Sequence, residues 1–385
     1  MRSWFKVSHI SAGFIAVLVG YTSSVAIVFQ AAYAAGATPE QLNSWMWALG
    51  IGMAASCIGL SLRYRSPVLT AWSTPGAALL ATSLQGLSMN QAVGVFLFSS
   101  LLIVLSGITG WFQKLMQHMP RHLAGAMLAG ILLRFGMDLF AAMQTQLALV
   151  LLMFVAFLAG RLWLPRYTVP LALAVGIAGA AAMNLLHLEK LTWSPALPVF
   201  TMPEFSWSAL IGVGIPLFIV TMTSQNIPGL AVLRANGYQT PASPLINWTG
   251  ALGVVLAPFG GFAFNLAAIT AAICMSRDAD PDPAQRYKAS IWAGLFYLLT
   301  GIFGATVVAL FAAFPTELIA AIAGLALIGT IANSLHAALD DERGRESALV
   351  TFLCTASGLS ISGIGSAFWG LLFGLAVHAL ARRAR

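Results

Sequence analysis

The segment WSTPG at residues 72–76 interrupts an otherwise apolar stretch in the first half of the chain. Serine or threonine followed by proline is a typical helix start, with Thr74 expected as the N-cap and Pro75 as the first helical residue. A helix that starts in the middle of an apolar stretch is too short for a full membrane crossing. The segment therefore predicts a half-length helix that begins inside the membrane.

A second interruption lies at the matching place in the other half of the chain. The segment PFGG at residues 258–261 is expected to unwind the backbone, and Asn265, another preferred N-cap residue, then precedes an apolar run. Paired interruptions of this kind mark the binding site of many secondary transporters. Two opposed helix starts are thus expected to meet, each with a partial positive charge of about half a unit. The alternative is that both segments are ordinary kinks or turns.

The composition places these interruptions in a membrane protein. Of the 385 residues, 59% are hydrophobic and 8% are charged, whereas about 25% are charged in soluble domains. The apolar runs are too long for barrel strands, so helices must satisfy the backbone in lipid. The sequence predicts an all-α polytopic membrane protein and excludes a soluble enzyme or a nucleic-acid-binding protein. The predicted spans are residues 10–33, 45–62, 67–85, 91–112, 121–140, 145–163, 167–187, 208–230, 243–259, 262–276, 286–312, 316–337, 346–361 and 364–381.

The distribution of basic residues supports this count of about fourteen transmembrane segments. With the N-terminus in the cytoplasm, 17 of the 19 Lys and Arg residues fall in cytoplasmic segments, and only Arg134 and Lys190 fall outside. This asymmetry is what the positive-inside rule requires. The net charge of +7 is therefore a signal of topology, and both termini are predicted to be cytoplasmic.

Matches at nearly fixed offsets indicate an internal repeat. The triplet ALG at residues 48–50 recurs at 251–253, and GITG at 107–110 corresponds to GIFG at 301–304. Seven spans per half would give the second half the opposite orientation, which is the 7+7 inverted repeat of many transporters. The predicted repeats are residues 1–190 and 205–385. Chance similarity between Gly- and Ala-rich spans is the alternative.

The predicted centre of the protein is polar but uncharged. All twelve acidic residues lie in loops or near span ends, so two positive helix starts without a countercharge suit an anionic substrate. Side-chain hydroxyls and amides are available to bind it, and two aromatic rings, Trp72 and Phe264, are expected to flank a planar substrate. A purely structural hydrogen bond between helices is the alternative for the amides at 225–226. The candidate substrate-binding residues are Tyr21, Ser24, Trp72, Ser73, Thr74, Gly76, Gln225, Asn226, Phe264 and Asn265.

Nothing in the sequence predicts a metal site or a cofactor. The three cysteines, Cys57, Cys274 and Cys354, are isolated in apolar runs without metal-ligand spacing. An intramembrane protease built on Ser360 and His378 would need both side chains within hydrogen-bond reach. Nothing in their spacing indicates this, and no enzyme is predicted.

Four stretches make the chain resemble the benzoate:proton symporter (BenE) family over nearly its whole length. They are PVLTAWSTPGAA at 67–78, SQNIPG at 224–229, AITAAIC at 268–274 and GIGSAFWG at 363–370. The resemblance implies a carrier in the bacterial inner membrane for benzoate-like aromatic carboxylates, driven by protons. It also implies the fold of the uracil/xanthine permeases, in which a core domain (spans 1–4 and 8–11) moves against a gate domain (spans 5–7 and 12–14).

The chain departs from those permeases at two positions. Their substrate-binding glutamates on the eighth and tenth spans correspond here to Gln225 and Phe264, which argues against a nucleobase substrate. The same departure leaves the proton-binding group unassigned.

Two transport functions remain open on this evidence. The leading hypothesis is proton-coupled symport of a benzoate-like anion by alternating access, and the alternative is a passive anion channel or exchanger, or a carrier of another small organic anion. The partners are the small anion, protons and the lipid bilayer, and a homodimer is compatible with either function.

Overall fold

The computed structural model describes residues 5–110, 120–187, 189, 193–362 and 364–383. The described chain is mainly helical, as predicted, and its two strands are short. In chain order the elements are α1 (Val7–Ala34), α2 (Pro39–Tyr64), β1 (Thr70–Trp72), α3 (Thr74–Ser83), α4 (Met89–Thr109), α5 (Arg121–Ala141), α6 (Leu147–Trp163), α7 (Thr168–Ala182), α8 (Trp207–Ala235), α9 (Ala242–Leu256), β2 (Phe264–Leu266), α10 (Ile269–Met275), α11 (Tyr287–Ile302), α12 (Gly304–Ala312), α13 (Thr316–Leu339), α14 (Arg345–Ala356) and α15 (Ser366–Arg383).

The described residues include seven helices that are long and apolar enough to cross a membrane. Counting the pair α11 and α12, which is bent by 67° at its break, as a single span gives eight. The prediction of a polytopic helical membrane protein is confirmed. The count of fourteen crossings and the inverted repeat stay predictions.

The two interrupted segments meet inside the fold as a pair of antiparallel strands. β1 and β2 pair in a register that runs from Thr70 opposite Leu266 to Trp72 opposite Phe264. One further backbone hydrogen bond beyond each end of the strand pair extends the ladder. This pairing satisfies the backbone groups that a broken helix would otherwise expose in lipid. Each strand leads into a short helix, of 10 residues in α3 and 7 residues in α10.

The long helices pack in two groups. In the first group α2 packs along α11, α4 along α9, and α1 against α3, α10 and α11. In the second group α5 packs along α13 and α14, α14 along α15, and α6 along α7. The strand pair lies in the first group, because β2 also contacts α9.

Glycines allow the closest approach within the first group. A Cβ atom added to Gly50 of α2 would lie 2.7 Å from the backbone nitrogen of Gly301 on α11. Small residues let helix backbones pack this closely. In lipid there is no hydrophobic effect to bring helices together, so their association depends on van der Waals contacts such as these. The first group is therefore held tightly around the strands.

Candidate functional site

A cavity of about 1510 Å³ extends from the strand pair to one end of the molecule. Its inner part is lined by the starts of the two short helices and by residues 223–225 of α8. The opposite wall comes from the second helix group, through Leu128 of α5, Val169 of α7 and Thr330 of α13. The cavity therefore separates the two groups of helices and ends at the interrupted spans.

The charges on the cavity wall all have one sign. Of the described residues that line it, the charged ones are Arg121 and Arg234, and none is acidic. Arg121 is the first residue of α5, and Arg234 lies in the last turn of α8. Both side chains are exposed near the mouth, where helix ends surround the opening. A cleft lined by one sign of charge concentrates ions of the opposite sign, so the mouth attracts anions.

Trp72 is held in a fixed orientation at the inner end of the cavity. Its indole Nε1 donates a hydrogen bond of 2.8 Å to Ser24 Oγ, and Ser24 Oγ in turn donates to the Gly20 carbonyl. The ring of Tyr21 meets the indole edge-on, with the ring centroids 4.9 Å apart. Trp72 and Ser24 line the cavity, whereas Tyr21 is buried behind the indole. Two of these three predicted residues therefore reach the cavity directly.

The N-cap of α3 is Ser73, and the prediction of Thr74 for this role is wrong by one residue. Ser73 Oγ accepts a hydrogen bond of 3.0 Å from the Gly76 amide, and Thr74 is already helical. The Ser73 amide bonds the Ala263 carbonyl at 3.0 Å, which keeps Ser73 extended. A Cβ at Gly76 would lie 2.8 Å from Ser73 Oγ, so glycine leaves room for the cap. The Thr74 side chain is left to face the cavity.

The predicted cap of the second short helix is also wrong. Asn265 lies in β2, and α10 begins four residues later, after Ala268, without a side-chain cap. The chain stays extended here because pairing with β1 satisfies its backbone groups. Asn265 is fully buried, and its Nδ2 donates to the Ala263 carbonyl at 2.9 Å. Asn265 is absent from the cavity wall that the structure describes.

Phe264 does not flank the cavity. Its ring is buried against α2, where a Cβ atom at Gly52 would overlap it. Phe264 lies opposite Trp72 in the strand register, but its ring points into the packed first helix group. The predicted pair of flanking rings, Trp72 and Phe264, is therefore not brought together at the cavity.

Gln225 and Asn226 face different surroundings although they are neighbours. Both lie in a π turn at Met222–Asn226, which follows from Pro228, since its ring displaces the carbonyl four residues earlier. Gln225 lines the cavity. Asn226 is fully buried, and its Oδ1 accepts a hydrogen bond of 2.9 Å from the Leu266 amide. Asn226 thus takes the structural role that was the alternative for these amides.

Several residues of the cavity wall were missed by the sequence analysis. Tyr297 of α11 and Thr270 of α10 line the inner end, and the two arginines lie near the mouth. A signal for Tyr297 was available, because tyrosine in membrane helices is enriched at the interfaces and Tyr297 lies in the middle of a predicted span. Arg121 and Arg234 look like ordinary topology signals in the sequence.

A partly buried ionic network holds the far end of α10. The Asp280 carboxylate accepts hydrogen bonds from Lys6 Nζ at 2.8 Å and, on the same oxygen, from His9 Nε2 at 2.7 Å. Arg286 donates to the carbonyl oxygen of Met275, the last residue of α10, at 2.8 Å. Burial alone would raise the pKa of Asp280, but hydrogen bonds from Lys6, the Asp282 backbone and His9 lower that pKa to about 2. The network therefore ties the end of α10 to the start of α1.

Comparison with known protein families now identifies the chain. The family model BenE, described as "Benzoate membrane transport protein", matches residues 3–380. The chain belongs to the BenE family. Inner membrane protein YdcO of Escherichia coli is 52% identical, over 94% of this chain and 93% of that protein. A benzoate membrane transport protein of Acinetobacter baylyi is 41% identical, over 98% of this chain and 96% of that protein.

Solved structures of other transporters share the fold of this BenE chain. The transmembrane domain of the cyanobacterial bicarbonate transporter BicA matches with a TM-score of 0.57 at 13% identity, covering 97% of this chain and 96% of that one. Murine Solute Carrier 26 family member A9, in its inward-facing state, matches with a TM-score of 0.62 at 13% identity, covering 99% and 68%. The BenE chain is thus a multi-pass membrane transporter, and the family resemblance is confirmed.

Proposed function

We propose that this BenE-family chain is a proton-coupled symporter of benzoate or a similar small aromatic carboxylate. The observation that carries the proposal is the cavity, which is lined by arginine near its mouth and by neutral polar groups at its inner end. Such a wall stabilises an anion without burying a fixed countercharge in the membrane. The Acinetobacter relative is named for benzoate transport, which supports this class of substrate.

The substrate is proposed to bind where the cavity meets the two short helices. Trp72 offers an aromatic face that is fixed by Ser24, and Thr74 and Gln225 offer hydrogen-bond donors. The start of α3 adds a partial positive charge near the carboxylate. The other predicted residues do not contact the substrate. They position the residues that do, by supporting Trp72, by capping α3 or by holding the strand pair. These supporting residues are Tyr21, Ser73, Gly76, Asn226, Phe264 and Asn265.

Alternating access is proposed to follow from movement between the two helix groups. The first group, together with α8, which contacts α3 and α4, and α12, which contacts α2, is the core domain (α1–α4 with α8–α12). The second group, α5–α7 with α13–α15, is the gate domain. A smaller cavity of about 530 Å³, lined by Gln30, Gln85 and Arg134, lies between α1, α3 and α5. A shift of the core would close the arginine-lined mouth and widen this second opening. With both termini cytoplasmic and fourteen spans in a 7+7 inverted repeat, the described state faces inward.

Trp72→Ala tests the site. We expect benzoate to bind at least about 10-fold more weakly, because the substitution removes the aromatic contact area. The measurement is titration of purified protein with benzoate. Trp163→Ala, at a tryptophan that is 77% exposed on α6, is the matched control and should bind like the wild type. Equal affinity in Trp72→Ala and the wild type would reject the site.

Proton coupling is tested by uptake into proteoliposomes. A symporter accumulates benzoate when the lumen is alkaline, and a protonophore abolishes the accumulation. A passive anion channel or exchanger is the second candidate, because the arginine-lined mouth also attracts inorganic anions. Chloride or sulfate flux that persists without a proton gradient, together with no uphill benzoate uptake, would establish the channel instead.

Neutralising the mouth should weaken anion capture in a salt-dependent way. The double variant Arg121→Gln with Arg234→Gln is expected to raise the apparent KM for benzoate about 3- to 10-fold at low ionic strength, since exposed charges act over a Debye length. The effect should shrink at 0.5 M salt, which the same uptake assay measures. Arg63→Gln, exposed on α2, is the control. A KM shift that is the same at all salt concentrations would contradict this role.

A further inference from the structure

Tyr297 brings a second aromatic side chain to the inner end of the cavity. It lies on α11, is only 2% exposed, and contributes to the cavity wall. A Cβ atom added to Gly20 would lie 3.3 Å from Tyr297 Oη and 3.7 Å from Thr270 Cγ2. Gly20 and Thr270 line the same cavity. The tyrosine hydroxyl therefore lies close to the start of α10, near the inner end of the cavity.

The Tyr297 ring is positioned by the same aromatic cluster that holds Trp72. Its centroid is 6.1 Å from that of Tyr21, whose ring meets Trp72 at 4.9 Å. One cluster of three rings thus presents two aromatic side chains, Trp72 and Tyr297, to the cavity. This arrangement supplies the second ring that the sequence analysis assigned to Phe264.

The Tyr297 hydroxyl has hydrogen-bonding capacity that the protein does not use. Across the described ranges, Tyr297 Oη forms no hydrogen bond with another protein group. Oη is also not one of the fully inaccessible polar atoms, so it can be reached from the cavity. A phenol hydroxyl in an apolar environment is stabilised when it finds an acceptor. Thr270 and Gln225 also line the cavity, and neither side chain forms a hydrogen bond within the part of the chain that the structure describes.

We propose that Tyr297 recognises the substrate carboxylate by donating a hydrogen bond from its hydroxyl to a carboxylate oxygen. The inference rests on the proposed function and names the residue that selects a carboxylate over a neutral aromatic compound. A hydrogen bond to an ionised acceptor is roughly twice as strong as a neutral one. A neutral donor gains this strength without the cost of burying a charged side chain in the membrane. Thr270, the second residue of α10, is proposed to donate a further hydrogen bond to the same carboxylate.

Tyr297→Phe isolates the hydroxyl, because the ring and its contact with Tyr21 remain. We expect the Kd for benzoate to rise about 10-fold or more, while the Kd for benzamide, whose neutral carbonyl accepts a weaker hydrogen bond, rises by a clearly smaller factor. The thermal midpoint of the ligand-free protein should stay at the wild-type value. Tyr64→Phe is the matched control, since Tyr64 is the last residue of α2 and does not line the cavity; its benzoate Kd should be unchanged.

Each other outcome overturns the assignment in a recognisable way. Wild-type benzoate affinity in Tyr297→Phe overturns the role of Tyr297 and leaves the proposed function standing. Equal losses for benzoate and benzamide, or a lowered thermal midpoint, assign Tyr297 a packing role instead. Failure of the wild-type protein to bind benzoate overturns the proposed function and this inference together. Thr270→Val provides a second measurement, with a smaller loss of benzoate affinity expected than in Tyr297→Phe and a still smaller loss for benzamide.

Discussion

Asp280→Ala is expected to lower the free energy of unfolding by about 1–3 kcal/mol, because it leaves the buried His9 without the acceptor of its hydrogen bond, while the half-exposed Lys6 regains water. The side chain of Asp280 is 4% exposed, and it accepts hydrogen bonds from both Lys6 and His9. Lys288 on α11 is also buried, at 3% exposure, and adds a positive charge near His9. Without the carboxylate, Lys6 and His9 would lose the acceptor that they share. Equilibrium unfolding in detergent micelles measures the loss.

The same carboxylate should make stability depend on acid. The pKa of Asp280 is lowered to about 2, from about 4 in an unfolded chain. Its contribution is therefore complete above pH 4 and is lost as the pH falls through 2. Asp280→Asn should remove this part of the acid dependence, whereas Asp138→Asn, at an exposed residue of α5, should not. An unfolding curve for Asp280→Asn that tracks the wild type from pH 5 to pH 2 would contradict the assignment.

Asn226→Leu is the second large expected effect. The substitution keeps the side-chain volume but removes the acceptor for the Leu266 amide, which is 2.9 Å from Asn226 Oδ1. A buried amide without a partner costs about 1–3 kcal/mol. This amide belongs to β2, so we also expect benzoate transport to fall by about 10-fold or more as the strand pair shifts.

The measurement for Asn226→Leu combines unfolding in detergent with uptake in proteoliposomes. Asn236→Leu is the control, because the Asn236 amide bonds Val232 at the exposed end of α8, where water replaces the lost bond. Wild-type stability in Asn226→Leu would show that the hydrogen bond to Leu266 does not hold the strands together. A loss of transport at full stability would instead move Asn226 into the substrate site.

The places where the chain is interrupted were predictable because their cause is local. Proline removes a backbone donor and glycine permits unusual backbone angles. Residues 72–76 and 258–261 therefore predict an interruption of the helix whatever the surrounding structure. The identity of the caps was less predictable. Ser73 and Thr74 have similar capping ability, and the hydrogen bond from the Ser73 amide to Ala263, which lies 190 positions away in the chain, selects Ser73.

The direction of side chains near the centre depends on contacts between distant segments. Asn226 and Gln225 are alike in sequence, but a π turn sends one to the strand pair and the other to the cavity. Tyr297 lies at the cavity where Phe264 was expected, because β2 buries the Phe264 ring against α2 while α11 carries Tyr297 to the cavity wall. Neither outcome follows from the local pattern of residues.

The sequence by itself determined the helical membrane class, the two helix interruptions and the family. These follow from the composition and from the local effects of proline and glycine, which do not depend on contacts with distant segments. Only the tertiary structure decided which polar groups form hydrogen bonds within the protein and which face the cavity. The reason is that a hydrogen bond such as that of Asn226 to Leu266 is made between residues 40 positions apart. Their meeting depends on how the helices pack.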